Sequence, residues 1–477
     1  MMKNKSITKN YLYNLSYQIL VLLIPLLTVP YLTKILGAEK LGIYSFTYSI
    51  VTIFFLISVL GVNTYGQREI AYVQDNRTKR TKIFWELMIV KLFASLLSMT
   101  LLCIFIAITS RYSIYYKIFL IYVFANLFDI TWLYQGIEDF KDVALRNAII
   151  KLLYFISIFI FIKTKNDLWI YILLYSLSTL ITNLSFWINC NKIIDKPPKK
   201  LDYKRHIVHV FTFFIPQVAS LVYTVLDKTM IGIIIPNISE VSFYEQATYI
   251  VKTILMLITT LGTVMVSRVS NCFENNNHKE IKKYITNSVT FTLCIGSALM
   301  FGICAIISHI VPWFYGNEYS SVIKLIYYLA PLIIIIGLSN IIGIQYLVSI
   351  KKQNYYIGAV ICGAIINFIL NIILLNLLGT IGAAIASVAS ELMILIIELN
   401  YTKKVITGYD IIKSSIKYLL FGIIMFITIY IVGKNLEPNI LNTCILTILG
   451  IIIYMLLLIV SKDSIIMKIK HKKNISN

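Results

Sequence analysis

The sequence contains few charged residues and no long polar segment. Only 14% of its 477 residues are Asp, Glu, Lys or Arg, whereas soluble domains carry about 25%. Hydrophobic residues make up 58% of the chain, and its mean hydropathy is +0.80. This scarcity of charge excludes a soluble enzyme or a soluble binding domain. Because apolar runs of about 20 residues suit membrane-spanning helices, the chain is predicted to be an all-α integral membrane protein.

The sequence also lacks the motifs of metal, disulfide and nucleotide chemistry. Its seven cysteines are scattered without CxxC or zinc-ligand spacing, and its five histidines form no HExxH array. It contains no Walker A loop and no Ser/His/Asp arrangement with supporting context. These absences predict no cofactor and no bound metal, and they disfavour an enzyme.

Basic residues are in excess, with 43 Lys and Arg against 22 Asp and Glu and a net charge of +21. In a soluble protein this excess would suggest a nucleic-acid partner, but no soluble segment is present to bind one. Most of the basic residues instead fall in alternate connections between the apolar runs, on the side of the N-terminus. The positive-inside rule therefore predicts a multi-pass membrane protein with both termini in the cytoplasm. The bias towards Lys, Ile and Asn indicates an AT-rich, bacterial genome, so the predicted location is a bacterial cytoplasmic membrane.

Fourteen apolar runs are long enough to span a membrane, and the connections between them are short. The predicted spans are 11–33, 43–62, 85–108, 116–135, 147–163, 169–190, 207–235, 245–268, 285–309, 322–349, 355–377, 379–400, 414–433 and 440–461.

The two halves of the chain repeat the same residues at a fixed spacing. The matching positions are Tyr44, Val51 and Arg68 in one half and Tyr244, Val251 and Arg268 in the other. Six spans separate the copies, so they predict a parallel repeat about an axis along the membrane normal, as in transporters. The predicted organisation is a six-helix lobe at 1–200, a second at 201–402, and an appended helix pair with a basic tail at 403–477. Chance similarity between apolar helices is the alternative.

Charged and amide side chains within the spans are the candidate site residues, because they are costly in lipid. Arg68, Arg146, Lys151 and Arg268 are predicted to form a basic vestibule on the cytoplasmic side, where arginine binds a diphosphate with bidentate geometry. The alternatives for these residues are positive-inside charge and, for Lys151, snorkelling of its ammonium group to the surface.

Further candidates lie deeper or towards the outer face. Lys252, Asn367 and Asn371 are predicted to line the substrate cavity, with hydrogen bonding between helices as the alternative for the asparagines.

Four residues are candidates for a gate or for ion coupling. Asp227 and Lys228 are predicted to lie at the external rim as a gate. Glu391 falls near mid-membrane, where a carboxyl group suits proton or cation coupling, and Asp129 is assigned to the same class. A structural hydrogen bond between helices is the alternative for Glu391.

Several segments together resemble a known family of membrane transporters. They are DITWLYQGIEDF (129–140), FIPQVASLVYTVLDKTMIG (214–232), FYEQATYIVK (243–252) and VPWFYGNEY (311–319), with the run of spans 11 and 12. From about residue 11 to 400 the chain resembles the Wzx-type polysaccharide flippases of the multidrug/oligosaccharidyl-lipid/polysaccharide exporter superfamily.

This resemblance implies a function that the residues alone do not specify. It implies movement of undecaprenyl-diphosphate-linked oligosaccharides from the inner to the outer leaflet, through a central cationic cavity and by alternating access. It also implies coupling to a proton or sodium gradient, and a polysaccharide polymerase with chain-length machinery as partners.

Two rival functions remain open. A drug or cation antiporter of the same superfamily would place binding acids deep in the first lobe, yet the first two spans carry none at mid-membrane. A membrane glycan polymerase or ligase would show a sizeable external loop with catalytic polar residues. The longest predicted external connection, 311–321, is too short for that role.

Overall fold

The computed structural model describes residues 7–403, 405–406 and 408–463, so most of the basic tail lies outside the described residues. The protein is 85% helical and the described residues include no strand, which confirms the predicted all-α class. The chain forms two compact units, Met1–Thr229 and Met230–Asn477. The predicted lobes at 1–200, 201–402 and 403–477 are defined by the sequence repeat and stay a prediction.

The helices that begin in the first unit are α1 (Ile7–Val59), α2 (Val62–Tyr72), α3 (Arg77–Ile108), α4 (Ser113–Ala125), α5 (Thr131–Gly136), α6 (Phe140–Phe161), α7 (Leu168–Ser185) and α8 (Lys204–Ile234). The second unit contains α9 (Ser239–Glu274), α10 (His278–Phe314), α11 (Ser321–Leu329), α12 (Leu332–Ser339), a π-helix (Asn340–Val348), α13 (Gln353–Leu378), α14 (Thr380–Thr402), α15 (Gly408–Gly433) and α16 (Ile440–Val460). Short 3₁₀ turns at Asn126–Phe128, Lys165–Asp167, Cys190–Lys192 and Asn317–Tyr319 join some of these helices.

Helix α1 covers the first two predicted spans without a loop between them. It bends at Gly37, whose φ of 77° and ψ of 172° are not helical. A positive φ of this kind is readily adopted by glycine, which has no Cβ. The connection expected near residues 34–42 is therefore a kink between two helical segments.

Eleven of the described helical segments are long and apolar enough to cross a membrane. α1 counts once among the eleven, although it contains two predicted spans. α8 and α9 are not among the eleven, and they correspond to the predicted spans at 207–235 and 245–268. The structure is compatible with fourteen spans, and that number stays a prediction.

The segment DITWLYQGIEDF (129–140), with its Tyr-Gln-Gly sequence at 134–136, forms a tightly packed junction in the first unit. A Cβ added to Gly66 of α2 would lie 2.7 Å from the buried Trp132 ring, and one added to Gly136 would lie 2.7 Å from the Ile70 side chain. The missing side chains let α2 and α5 approach closely, so both glycines serve packing. This junction positions Tyr134, whose hydroxyl donates a 2.5 Å hydrogen bond to the Phe186 carbonyl.

The start of α8 is tied to the first unit by a buried carboxylate. Glu86 of α3 is fully buried and accepts hydrogen bonds from the Asp202 amide (2.8 Å) and from Arg205 Nη2 (2.5 Å). The His206 Nε2 atom lies 3.0 Å from the same carboxylate, and His206 Nδ1 lies 2.9 Å from the Tyr65 hydroxyl. These contacts satisfy a charge that would otherwise be costly to bury.

In the second unit, α13 and α14 approach closely through small residues. A Cβ at Gly382 would overlap the Leu374 carbonyl oxygen, and one at Gly363 would overlap the Ile394 side chain. The missing side chains of these two glycines allow that close approach. The appended helices α15 and α16 pack onto α10 in one apolar core, where the Tyr454 hydroxyl donates to the Cys294 carbonyl at 2.7 Å.

Candidate functional site

A cluster of tyrosines lies inside the first unit. Tyr44 and Tyr48 of α1 face Tyr171 and Tyr175 of α7, with ring centroids 4.8 Å apart for Tyr44 and Tyr171. The hydroxyl oxygens of Tyr48 and Tyr175 are 3.0 Å apart, and Tyr122 of α4 lies 5.4 Å from the Tyr175 ring. In α1 and α7 the two tyrosines are four residues apart, so each pair shares one helix face.

The tyrosine cluster (Tyr44, Tyr48, Tyr122, Tyr154, Tyr171 and Tyr175) combines apolar ring faces with hydroxyl groups. All of its members except Tyr122 are only partly buried and keep accessible surface. A tyrosine ring packs against apolar surface, while its hydroxyl both donates and accepts hydrogen bonds. The cluster therefore suits a ring-shaped ligand that carries many hydroxyl groups.

Lys151 lies beside this cluster and is not neutralised by the protein. It precedes Tyr154 of the cluster by three residues on α6, so the two side chains lie on one face of the helix. Its side chain is partly buried, and within the described part of the chain its ammonium group has no hydrogen-bond or ion-pair partner. A partly buried cation of this kind favours an anionic ligand.

Arg146 and Arg68, in contrast, are held by protein groups. Arg146 donates to the Ser185 carbonyl, lies 3.5 Å from the Asp142 carboxylate, and stacks over Tyr134 at 5.6 Å. Arg68 pairs with Glu69 at 3.0 Å and stacks on nearby rings, and its side chain is 42% exposed. Arg68 thus retains surface for a ligand, whereas much of the hydrogen-bonding capacity of Arg146 is already used.

Asp129 belongs to a buried ion pair in the first unit. The fully buried Lys91 ammonium donates to the Asp129 carbonyl oxygen at 2.6 Å and lies 3.8 Å from its carboxylate. The same carboxylate accepts hydrogen bonds from Asn63 (2.8 Å) and from the amide and hydroxyl of Thr131 (2.9 and 2.6 Å). The Lys91 ammonium is therefore held inside the protein, and the network fixes the 3₁₀ turn before α5.

A cavity of about 340 Å³ opens in the second unit, between α9, α10 and the π-helix. Its lining includes the predicted residue Arg268 together with Tyr284, Asn287, Ser288 and Gln345. Gln345 is only 4% exposed; its Nε2 atom donates to Asn340 at 3.3 Å. Its Oε1 atom has no partner among the described residues, which leaves a buried acceptor at a cavity that also holds a guanidinium group.

The remaining predicted residues of the second unit do not gather around this cavity. Asn367 and Asn371 are fully buried in α13, where the Asn371 amide donates to the Asn367 side chain at 3.1 Å. Lys252 lies exposed on α9, and Glu391 is buried on α14. Arg268 is therefore the predicted residue of this unit that lines this cavity.

The predicted gate pair lies in the last third of α8. Asp227 is 6% exposed and Lys228 is partly buried, and the next residue, Thr229, has its hydroxyl 2.8 Å from that of Ser49 on α1. The assignment of Asp227 and Lys228 as a gate stays a prediction.

A family model described as polysaccharide biosynthesis protein matches residues 7–273, which is more than half of the chain. The chain belongs to this family. Among the relatives of this polysaccharide biosynthesis protein is a protein of Escherichia coli (strain K12) that carries the name of an O-antigen transporter. It is 26% identical over 404 residues, covering 83% of this chain and 97% of the relative.

Two solved structures share the fold of this polysaccharide biosynthesis protein. One is the lipid II flippase MurJ in an inward closed conformation, with a TM-score of 0.75 and 18% identity, covering 94% of this chain and 98% of the other. The second is an inward-facing multidrug resistance transporter of the MATE family and MOP superfamily, with a TM-score of 0.61 and 15% identity, covering 90% and 97%. At these identities the likeness shows the fold alone.

Sequence reasoning missed two parts of the candidate site in this polysaccharide biosynthesis protein. The tyrosine cluster could have been found, because the chain has 33 tyrosines and two pairs of them recur at a helical spacing of four. Gln345 could not, because an amide in an apolar run gives no sign that its helix is of the π type.

Proposed function

We propose that this polysaccharide biosynthesis protein is a flippase for oligosaccharides linked to undecaprenyl diphosphate. It carries them from the cytoplasmic to the outer leaflet of a bacterial cytoplasmic membrane by alternating access, with both of its termini in the cytoplasm. The proposed role is the supply of repeat units to a polysaccharide polymerase and its chain-length machinery. The protein is a transporter rather than an enzyme, in keeping with its relative from Escherichia coli.

One observation supports this proposal more than any other: the unpartnered Lys151 lies one helical turn from the tyrosine cluster. A lipid-linked oligosaccharide carries a diphosphate joined directly to sugar rings. The proposal assigns the diphosphate to Lys151 and the exposed part of Arg68, because cations bind phosphate oxygens strongly. It assigns the sugars to the tyrosine rings and hydroxyls.

The second unit also contains a cationic group and a hydrogen-bond acceptor that lie at one cavity. Arg268 supplies five N–H donors, and the unpartnered Oε1 atom of Gln345 accepts a hydrogen bond from a hydroxyl group. We propose that the Arg268 cavity binds the same substrate at another step of the transport cycle.

A drug or cation antiporter fits these charges less well. Its cationic substrates need acidic partners, and in the first unit the predicted coupling residue Asp129 is already paired with Lys91. The unpartnered charge near the tyrosines is positive, so the site selects anions.

The test is to delete the gene and follow the lipid-linked oligosaccharide in each leaflet. Deletion should leave the oligosaccharide in the cytoplasmic leaflet, and the wild-type gene should restore outward delivery. Lys151→Gln should restore it poorly, whereas Lys117→Gln, which removes an exposed lysine of α4, should restore it fully. Unchanged outward delivery in the deletion strain would refute the flippase function, provided that no second flippase is present in that strain.

A further inference from the structure

Glu398 of α14 is a buried carboxyl group that the transport site does not use. Its side chain has no solvent exposure, and neither carboxyl oxygen has a hydrogen-bond partner among the described residues. Glu86, which is fully buried, accepts two hydrogen bonds and lies 3.0 Å from His206 Nε2, and the partly buried Asp129 carboxylate accepts three hydrogen bonds. Glu398 differs from both in that neither of its carboxyl oxygens accepts a hydrogen bond from a described residue.

The surroundings of Glu398 come from four helical segments, and no described residue forms an ion pair with it. Tyr356 of α13 and Glu391 of α14 are the titratable groups that act on it, and Ser339 of α12 lies beside it without a hydrogen bond of good geometry. The π-helix contributes Gly343, where an added Cβ would lie 2.5 Å from Glu398 Oε1 and 2.5 Å from the Tyr356 ring. A side chain at Gly343 would therefore fill the space that the carboxyl group occupies.

An ionised carboxylate in this position would be costly, because it would lose its hydration without gaining a cation or a hydrogen-bond donor. A bound proton removes the charge and lowers that cost. No group of three or more metal-ligating side chains occurs in the described residues, which favours a proton over a metal ion.

The π-helix connects this carboxyl group to the Arg268 cavity. Gly343, which faces Glu398, and Gln345, which lines the cavity, are two residues apart on the same nine-residue π-helix. π-Helices are rare and occur often at functional sites, where their i→i+5 hydrogen bonds differ from those of the flanking α-helix. Glu398 thus borders the same helical segment that carries Gln345 to the cavity.

We propose that Glu398 is a proton-binding site, and that binding and release of its proton change the π-helix and thereby the Arg268 cavity. On release, the new negative charge repels Glu391 and requires a donor, so the backbone around Gly343 must rearrange. The proton site stands independently of the proposed function, whereas its use to couple transport to a proton gradient rests on that function.

The first experiment detects the proton directly. Infrared difference spectra of the purified protein, recorded on raising the pH, should show loss of the carbonyl stretch of a protonated carboxyl group. This signal should be absent in Glu398→Gln, which keeps the size and neutrality of the protonated form, and retained in the control Glu391→Gln. A signal that persists in Glu398→Gln would overturn the assignment.

The second experiment measures the effect on the cavity. In a cysteine-free background, Ser288→Cys places a thiol in the Arg268 cavity, and Ser321→Cys places one in the separate cavity beside α11. The ratio of their reaction rates with a water-soluble maleimide corrects for thiol ionisation. This ratio should change several-fold over the pH range of the infrared signal, and it should become constant in Glu398→Gln. A ratio that varies with pH in the same way in both proteins would refute the link through the π-helix.

A transport measurement separates this inference from the proposed function. In vesicles with a pH gradient, wild-type flux of a lipid-linked oligosaccharide should respond to the gradient, and the flux of Glu398→Gln should not. If wild-type protein moves no oligosaccharide while the infrared and labelling results hold, the flippase function fails and the proton site stands. If flux occurs with the same gradient response in both proteins, coupling through Glu398 is refuted.

Discussion

Replacement of Lys151 by glutamine tests the substrate site with the least disturbance to the fold. Its ammonium group has no hydrogen-bond or ion-pair partner within the described residues, so Lys151→Gln removes no hydrogen bond or ion pair of the folded protein. The change removes a partly buried charge, which by itself stabilises the protein or leaves its stability unchanged. Any loss of function then reflects loss of contact with the substrate.

The size of the effect follows from the chemistry of one lost contact. A hydrogen bond to a charged group contributes about 1.5–3 kcal/mol, and each 1.4 kcal/mol corresponds to about tenfold in affinity. Lys151→Gln should therefore weaken binding of a lipid-linked oligosaccharide by about 10- to 150-fold. Lys117→Gln, on the exposed face of α4, should change it by less than about twofold, because surface charges far from a ligand are screened.

The assay is equilibrium binding of a short-chain prenyl-diphosphate oligosaccharide to protein in lipid nanodiscs. Thermal unfolding of the same samples shows whether the fold is intact. If Lys151→Gln binds as tightly as wild type while remaining folded, the ammonium group does not contact the diphosphate, and the reasoning from its missing partner is wrong.

Three further predictions concern stability, measured as the free energy of unfolding in detergent micelles. Arg146→Gln should lower it by about 1–3 kcal/mol, because the carbonyl and carboxylate contacts of the guanidinium are lost; an unaffected stability would show that these contacts contribute little. Lys91→Met should lower it by about 3–5 kcal/mol, since it leaves the partly buried Asp129 carboxylate without its cation. Adding Asp129→Asn should recover part of that loss, and strict additivity of the two changes would contradict the ion pair. Gly382→Ala should cost at least about 1–3 kcal/mol, because its Cβ meets backbone of α13. Gly358→Ala, which faces open space in α13, should instead be neutral or stabilising by up to about 1 kcal/mol.

The helices could be predicted because span length follows from membrane thickness, but their junctions could not. Lys34, Glu39 and Lys40 end the first apolar run and suggest a loop. In the structure Lys34 and Glu39 are exposed on a helix that continues past them, and Gly37 absorbs the change of direction. Charge lowers hydropathy without breaking helical hydrogen bonds, so a hydropathy pattern does not distinguish a kink from a loop.

The sequence allowed single charged residues of the site to be predicted, but not which of them are paired in the folded protein. Lys151 and Arg268 were identified because charge in an apolar run is costly. Whether a charge is already paired depends on contacts between distant parts of the chain. Lys91 meets Asp129 across 38 residues, and Arg146 meets Ser185 across 39. No sequence motif marks either pairing, so the sequence did not distinguish the paired cations Lys91 and Arg146 from the unpaired Lys151.

The ties between Glu86 and the start of α8 have a consequence for how the chain is made. Glu86 is synthesised 119 and 120 residues before its partners Arg205 and His206. At about 5–20 residues per second, the ribosome needs about 6–24 s to cover that distance. During this interval Lys82, which lies 3.9 Å from the Glu86 carboxylate in the folded protein, is already present, but Arg205 and His206 do not yet exist. Insertion of the seventh span thus completes the first unit, and a ribosome stalled near residue 200 would leave that unit unfinished in the membrane.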